Sequence, residues 1–420
     1  MAVGCSSPPQ ELTIAFSNDM IGEIRSCGCA ANDYGGLGRR ATYIEGLRKR
    51  SKNFLLLEGG DFSGLGVNYG EQKARLTMQA MSYMGYDGVV VGEKDFAHGV
   101  DYLVDRVRAL KLPVVVANLF DAKTDSLLFP PLRVFATSGG LTVGVIGVLG
   151  ADIAFPDTVA AGRLRVADPK AAVEREVSRI RGDVDIVVVL AHMTGAGARR
   201  LAEKVPGIDV VVMGHEARPV RKAPKSGDAY MITTSNRGRF IGIAFATIDR
   251  KRGIVDFFAD VEGLTTDYAD HPAIVKLFQS YDIEIVRAEQ SRAGVEGRTA
   301  DAYAGAEACK SCHLETHNQW MSTKHAHAFD ILESENREFD RDCTPCHTTG
   351  FYELGGFLSL TDTPNLIHVQ CEMCHGNSSA HTRKPILKTP GNPRSVCTTC
   401  HTEEQTPDFA FETWWPRIAH

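Results

Sequence analysis

Eight of the chain's eleven cysteines follow residue 308 in four Cys-x-x-Cys pairs, and a histidine follows each pair directly: Cys309/Cys312/His313, Cys343/Cys346/His347, Cys371/Cys374/His375 and Cys397/Cys400/His401. Two cysteines three apart on one short turn reach the two vinyl groups of a haem as thioethers, and the next residue offers its imidazole to the iron. Structural zinc, the competing use of such pairs, would combine the four into two four-thiolate sites with no need of the histidines. With 14 histidines in 420 residues, four such neighbours do not arise by chance. The pattern predicts four covalent haem c groups.

Each iron then has a sixth position to fill. The spare histidines of this region are His317, His325, His327, His368, His381 and His420, so ten of the fourteen histidines follow residue 308. An iron held by two imidazoles is coordinatively saturated; it carries electrons and leaves no vacancy for a substrate. Four haems in so short a stretch leave little room for an ordinary apolar core, so the macrocycles are expected to be much of it.

Residues 301–420 resemble the tetrahaem cytochromes c related to the electron acceptor of hydroxylamine oxidoreductase. The resemblance runs from Tyr303 through the first attachment motif to Trp320, His325, Ala326, Ala328 and Phe329. It continues through Thr349-Gly350-Phe351, Gln370-Cys371-Glu372, Gly376 and His381, and ends with Pro407-Asp408-Phe409, Trp415 and His420. It implies a mainly α, haem-packed domain with distal ligands at His325, His381 and His420, the fourth coming from His317, His327 or His368. Members of this family can leave one haem five-coordinate.

The first 260 residues alternate short β-branched runs with amphipathic stretches. Strands are predicted at 12–16, 54–57, 88–91, 114–117, 142–148, 186–190 and 210–213. Helices are predicted at 37–49, 72–84, 100–110, 169–180 and 198–204. Continuous apolar strands between such helices argue for buried sheets with helices on their faces. A polar residue just after a strand then stands at the sheet's C-terminal edge, where α/β proteins place their sites.

Five strand ends carry unusual polar groups: Asn18-Asp19, Gly60-Asp61, Gly92-Glu93-Lys94-Asp95, His192 and Gly214-His215. In this order they resemble the calcineurin-like metallophosphoesterases of the periplasmic 5′-nucleotidase branch, over 11–262. The resemblance implies an α/β four-layer sandwich whose two metals activate a water for attack on a phosphate ester. The departures matter as much as the matches. The family's Asp-x-His is Asp19-Met20-Ile21, its Gly-Asn-His-Asp is Gly92-Glu93-Lys94-Asp95, and its Gly-His-x-His is Gly214-His215-Glu216-Ala217. One metal centre keeps Asp61, Glu93, His192 and His215, a set suited to a single divalent zinc, manganese or iron ion. The other keeps Asp19 and Asp61 and loses two histidines, to Ile21 and Ala217. Lys94 replaces the general-acid histidine. The expectation is lost hydrolysis.

Cys27-Gly28-Cys29 precedes Gly35-Gly36-Leu37-Gly38-Arg39-Arg40, the run that follows the first metal motif in this branch, where some nucleotidase-like proteins carry cysteine or selenocysteine. Three readings stand: a strained, reducible disulfide, two thiolates replacing the lost histidines as ligands for zinc or copper, and plain buried thiols. Ala2-Val3-Gly4-Cys5 partly resembles the box before a lipidated cysteine, so residues 1–10 read either as a tether to the outer membrane through Cys5 or as a trimmed end.

A hydrophobic share of 43% with 23% charged residues excludes a disordered or fibrous chain. No stretch approaches the ~18 apolar residues of a membrane helix. Residues 301–420 hold 16 acidic against 9 basic residues, net −7, and the rest is near neutral at 36 against 37. Haem propionates add to that charge, so a redox partner protein or another multihaem cytochrome should present a basic face, and nucleic acid is not an expected ligand. Apolar spacing over 271–293 predicts a helix within a connector at 263–300. Since c-type haem is attached outside the cytoplasm, the chain reads as a periplasmic or extracellular electron carrier. Two other functions remain open: a phosphate or sulfur ester hydrolase joined to a cytochrome, and a haem oxidoreductase acting on a small nitrogen or sulfur compound.

Overall fold

In a computed structural model, which describes residues 8–26, 33–64, 69–156, 162–215, 222–293, 303–334, 337–338, 343–351, 353, 355–384, 393–402, 406 and 408–420, the chain divides into two compact units, 1–279 and 280–420.

The first unit is built on apolar strands that are buried along almost their whole length. One sheet has the order β14 (Gly253–Gly263), β13 (Phe240–Asp249), β1 (Gln10–Ser17), β2 (Phe54–Glu58), β3 (Gly88–Val89). The second has the order β11 (Lys225–Ser226), β12 (Ala229–Ile232), β10 (Val210–Gly214), β9 (Ile186–His192), β7 (Thr142–Leu149), β6 (Leu132–Ala136). A small sheet joins β5 (Ser126–Leu127), β4 (Leu119–Asp121) and β8 (Leu164–Val166). The strands that matter for chemistry run parallel: β1 with β2 with β3, and β7 with β9 with β10. Their C-terminal ends therefore collect at one edge of each sheet.

Helices α1 (Leu37–Arg50), α2 (Gly70–Met84) and α3 (Val100–Leu110) lie side by side, while α4 (Pro169–Ile180) packs on β7 and α5 (Gly195–Lys204) on β10. Asp168 caps α4 by accepting the Ala171 N–H at 2.7 Å, and Pro169 opens the first turn, where its missing N–H costs nothing. The two large sheets meet face to face, with Gly88 of β3 against Val145 of β7 and Gly59 beside Gly214. Helix, sheet, sheet and helix make the four layers of a metallophosphoesterase-like α/β fold.

The segment 114–117, expected as a strand, is not one. Val114 forms a single bridge to Val89, and the next N–H groups go to three different places: Val115 to Val89, Val116 to Pro130, Ala117 to Gly147. The segment threads between neighbours, so no ladder forms. Its route depends on Gly147, where a Cβ would lie 1.8 Å from the Val115 carbonyl oxygen. The long hairpin β13–β14 was not anticipated. It pairs Phe245 with Phe258, both exposed, and buries residues on its other face, including Ala244 and Ala246.

Helix α6 (Pro272–Ala293) spans the division between the units. Its first part is held by the first unit, with Ile274 and Phe278 buried and the Arg25 guanidinium 4.8 Å over the Phe278 ring.

The second unit is helical. After α6 its α-helical segments are short, from Thr344–His347 at four residues to Leu314–Met321 and Pro393–Cys400 at eight. Its buried apolar cluster consists of Tyr303, Phe329, Leu332, Phe357 and Leu366. So small a protein core fits a domain whose interior is completed by prosthetic groups.

Candidate functional site

In the first unit the strand ends converge as the alternation of strands and helices requires. After β2 the chain turns through Gly60, at φ +95°, where a Cβ would lie 2.6 Å from His192 Nδ1; the glycine lets the Asp61 loop pass directly under the imidazole. Asp19, Asp61 and His215 all have positive φ, at 49°, 55° and 57°. Left-handed backbone at three non-glycine residues of one cleft is strain of the kind that collects at functional sites. Asp95 holds the loops together: it accepts N–H groups from Asp61 at 2.9 Å, Ser63 at 2.7 Å and Gly92 at 2.8 Å.

One ligand atom each from Asp61, Glu93, His192 and His215 lies within 4.8 Å of the others. His192, at the end of β9, has Nδ1 2.8 Å from the Gly59 carbonyl and Nε2 3.0 Å from Glu93 Oε2. A carbonyl on Nδ1 fixes the tautomer that offers Nε2 to a cation. His215 Nδ1 is 3.5 Å from Glu93 Oε1, and the two imidazole rings are 5.2 Å apart. Two imidazoles and two carboxylates suit a divalent first-row ion. Burial opposes charge on His192, but the Glu93 hydrogen bond and the Asp61 and Asp19 carboxylates outweigh it and raise its pKa to about 9. Burial likewise opposes the Glu93 carboxylate, which hydrogen bonds from His192, His215 and Lys94 nonetheless hold well below the usual range.

Asp19 stands outside this group of four. It is held by Asn18, whose amide donates to Asp19 Oδ2 at 2.8 Å and whose carbonyl accepts the Thr234 N–H at 3.0 Å, and burial raises its pKa. Ile21 sits on the same turn, its N–H bonded to the Asp61 carbonyl at 2.9 Å, but its side chain offers no donor. The second metal centre of the resemblance therefore does not fit these residues. Position 217, Cys27, Cys29 and Cys5 lie outside the described residues. Sequence reasoning missed the clamping role of Asp95 and the Thr233-Thr234 contacts to Asn18; Thr233 follows β12, a strand it had not found.

Glu58 lies beneath this site, with Ser17 Oγ donating to its carboxylate and also bonded to the Tyr86 hydroxyl. Burial raises its pKa from 4.5 to about 8 against the Ser17 bond. The folded state thus keeps a proton that the unfolded chain releases, so stability from this group is full below about pH 4.5 and is lost as pH rises to about 8. Glu58→Gln should flatten the thermal-stability profile across that window and melt higher than the unsubstituted protein at pH 8. An unchanged slope would refute this.

In the second unit each attachment motif lies on a short helical turn, with the His313 and His401 N–H groups bonded to the Cys309 and Cys397 carbonyls, both at 2.9 Å. Three attachment histidines face a second imidazole: His313 with His381 at 6.3 Å between ring centres, His401 with His325 at 6.1 Å, and His375 with His420 at 5.7 Å. Two imidazoles on opposite sides of a metal, with bonds of about 2 Å, have ring centres about 6 Å apart. The residues therefore fit a haem iron between each pair.

The attachment cysteines differ in burial, and Cys312 stands apart. It is exposed, whereas the other seven attachment cysteines are all partly buried. The reason is local. Cys309 lies within the helical turn Ala306–Lys310 and is held inward, its Sγ 3.8 Å from the Gly305 carbonyl. Cys312 follows the end of that turn, in a run from 310 to 315 that is exposed throughout. Its sulfur has the neighbouring Ser311 hydroxyl at 3.8 Å. The spacing to Cys309 suits two thioethers.

His347 is different. Its Nδ1 is bonded to the Ala328 carbonyl, and no described residue places an imidazole at that spacing from it. His368, one of the three candidates for the fourth distal ligand, is not brought to an attachment histidine. Its backbone is left-handed at φ +69°, its Nδ1 accepts the Phe329 N–H at 3.2 Å, and its ring is 6.3 Å from His327. His317 is buried against Trp320, 3.5 Å from Glu307.

Residues 308–376, which include the first three attachment motifs, match the family model of cytochrome c554 and c-prime. The first unit is similar to 5′-nucleotidases. The rat protein is 30% identical over 258 residues, covering 56% of this chain and 44% of the relative. That of Vibrio cholerae is 26% identical over 291 residues, covering 57% and 51%. The chain thus spans about half the length of the curated relatives it matches. Among solved structures, a 5′-nucleotidase precursor from Thermus thermophilus superposes with a TM-score of 0.57 at 22% identity, covering 66% of this chain and 59% of that one. The sulfate thiohydrolase SoxB of the same organism gives 0.57 at 17% identity, covering 66% and 61%. At these identities the solved structures show the fold.

Proposed function

We propose that the chain is an exported multihaem c-type cytochrome that passes electrons through four covalently bound haems, joined to a nucleotidase-like domain that has lost hydrolysis. The observation that carries this is the set of three imidazole pairs near 6 Å, each joining an attachment histidine to a spare one. Haem c bound there supplies one-electron chemistry. The chain's own residues would attach it through the cysteine pairs and hold it between two imidazoles at three of the four motifs.

The donor or acceptor is a redox partner protein or a second multihaem cytochrome with a basic face, since residues 301–420 carry net −7. The place of work is the periplasm or cell exterior, with Cys5 as a lipid tether to the outer membrane. Among the described residues no helix is long and apolar enough to cross a membrane. The four-donor group of the first unit takes one divalent zinc, manganese or iron ion. Spectroelectrochemical titration should show reversible reduction at low potential, because two imidazoles favour ferric iron more than a histidine and methionine pair does. Irreversible or absent reduction would overturn the reading.

The surroundings of His347 favour a second reading, in which the haem of the second motif takes a small nitrogen or sulfur compound. Every spare histidine is placed elsewhere: three face other attachment histidines, His327 and His368 face each other, and His317 packs on Trp320. About one haem in four should then be high-spin in the oxidised protein and bind carbon monoxide on reduction. A spectrum with only low-spin haem would exclude this reading and leave electron transfer standing.

A further inference from the structure

Lys94 stands inside the cation site. Its Nζ donates to Asp61 Oδ2 and, at 2.8 Å, to Glu93 Oε1. These are the same oxygens that face the imidazoles: Asp61 Oδ2 is 3.7 Å from His192 Nε2, and Glu93 Oε1 is 3.5 Å from His215 Nδ1. An ion drawn to both imidazoles would need the oxygens that the ammonium already holds. The lysine is also fixed at its base, its backbone N–H donating to Asp61 Oδ1 at 3.0 Å.

Charge points the same way. Asp61 is fully buried and Glu93 nearly so, with side-chain exposures of 0% and 14%. Two carboxylates brought together under cover need a cation, and leaving one uncompensated is strongly destabilising. Where the related pattern has asparagine and histidine, this chain has adjacent glutamate and lysine, an added anion with an added cation whose side chains meet.

We propose that Lys94 is a tethered competitor for the cation site: its ammonium and a divalent ion are alternative occupants of the space between Asp61 and Glu93. This rests on the reading of Asp61, Glu93, His192 and His215 as one cation site. With Lys94 in place the unit is neutralised and folded without metal. A divalent ion enters only by displacing the ammonium, which frees a cation beside the bound ion.

The test uses the full, haem-loaded chain, stripped with EDTA and titrated with Mn²⁺, free ion being read by its EPR signal and stability by thermal unfolding. The unsubstituted protein should melt at the same temperature with and without EDTA and bind Mn²⁺ weakly. Lys94→Met should bind one Mn²⁺ about tenfold to a hundredfold more tightly, the range set by losing one or two charge-assisted hydrogen bonds, and should melt higher with Mn²⁺ than with EDTA. Adding His192→Ala should abolish that gain. Equal affinity in the unsubstituted and Lys94→Met proteins would overturn the competitor and leave the cation site standing. No Mn²⁺ binding by either would overturn the cation site itself. If Lys94→Met does not fold without metal, the unsubstituted protein decides: a melting temperature lowered by EDTA, with one ion released, refutes the proposal.

Discussion

Replacing His381, His325 or His420 with alanine should each convert one low-spin haem to high-spin and leave the other haems unchanged. These residues face His313, His401 and His375 at ring spacings of 6.3, 6.1 and 5.7 Å. Alanine removes a strong-field axial ligand, and ferric iron held by one imidazole is high-spin. The pairing makes the effects separable. His420→Ala acts on the haem attached at Cys371 and Cys374, and His325→Ala on the one attached at Cys397 and Cys400. Removing an attachment cysteine of the same motif should therefore abolish the new high-spin signal along with its haem. By contrast, His327→Ala and His368→Ala should leave the low-spin signals intact. Unchanged spectra in all three first variants would remove the ligand assignment.

Phosphoester hydrolysis should stay at background when Mn²⁺ or Zn²⁺ is supplied, on nucleotides and on generic aryl phosphates alike. The two-metal mechanism needs a clamp on both the attacking and the leaving oxygen. Only the group of Asp61, Glu93, His192 and His215 is complete among the described residues. The second centre retains Asp19 and Asp61, with Ile21 on the turn where a histidine would stand. Lys94 stands where the related pattern has its general-acid histidine, a role worth about 10²–10⁴-fold, and its ammonium is bonded to two carboxylates. Robust 5′-nucleotidase turnover that disappears in His192→Ala would overturn this account of the first unit.

What could be read from the residues alone follows from how local each feature is. An attachment motif is a covalent requirement over five residues, so Cys309 to His313 and its three counterparts were legible without any fold. The strand ends were legible too, because Gly60-Asp61 or Gly214-His215 after an apolar run marks a sheet edge whatever lies beyond. The pairing of spare histidines was only in part. His325, His381 and His420 came from resemblance; which attachment histidine each one faces depends on contacts between residues far apart in the chain, and His368 is turned away by its own backbone. The segment 114–117 has the composition of a strand, but its hydrogen-bond partners are decided by neighbours such as Gly147. Lys94 was read as a lost acid. Its hold on both Asp61 and Glu93 could not be seen until their loops were placed together.

The most direct measurement is the intact mass of the mature chain together with its pyridine haemochrome. Electron transfer through four covalent haems predicts a mass increase of four haems that survives denaturation and acid-acetone extraction, with haemochrome absorbance giving four haems per chain. Correctly matured protein that carries three or fewer, or whose haem is extracted by acid-acetone, would contradict it.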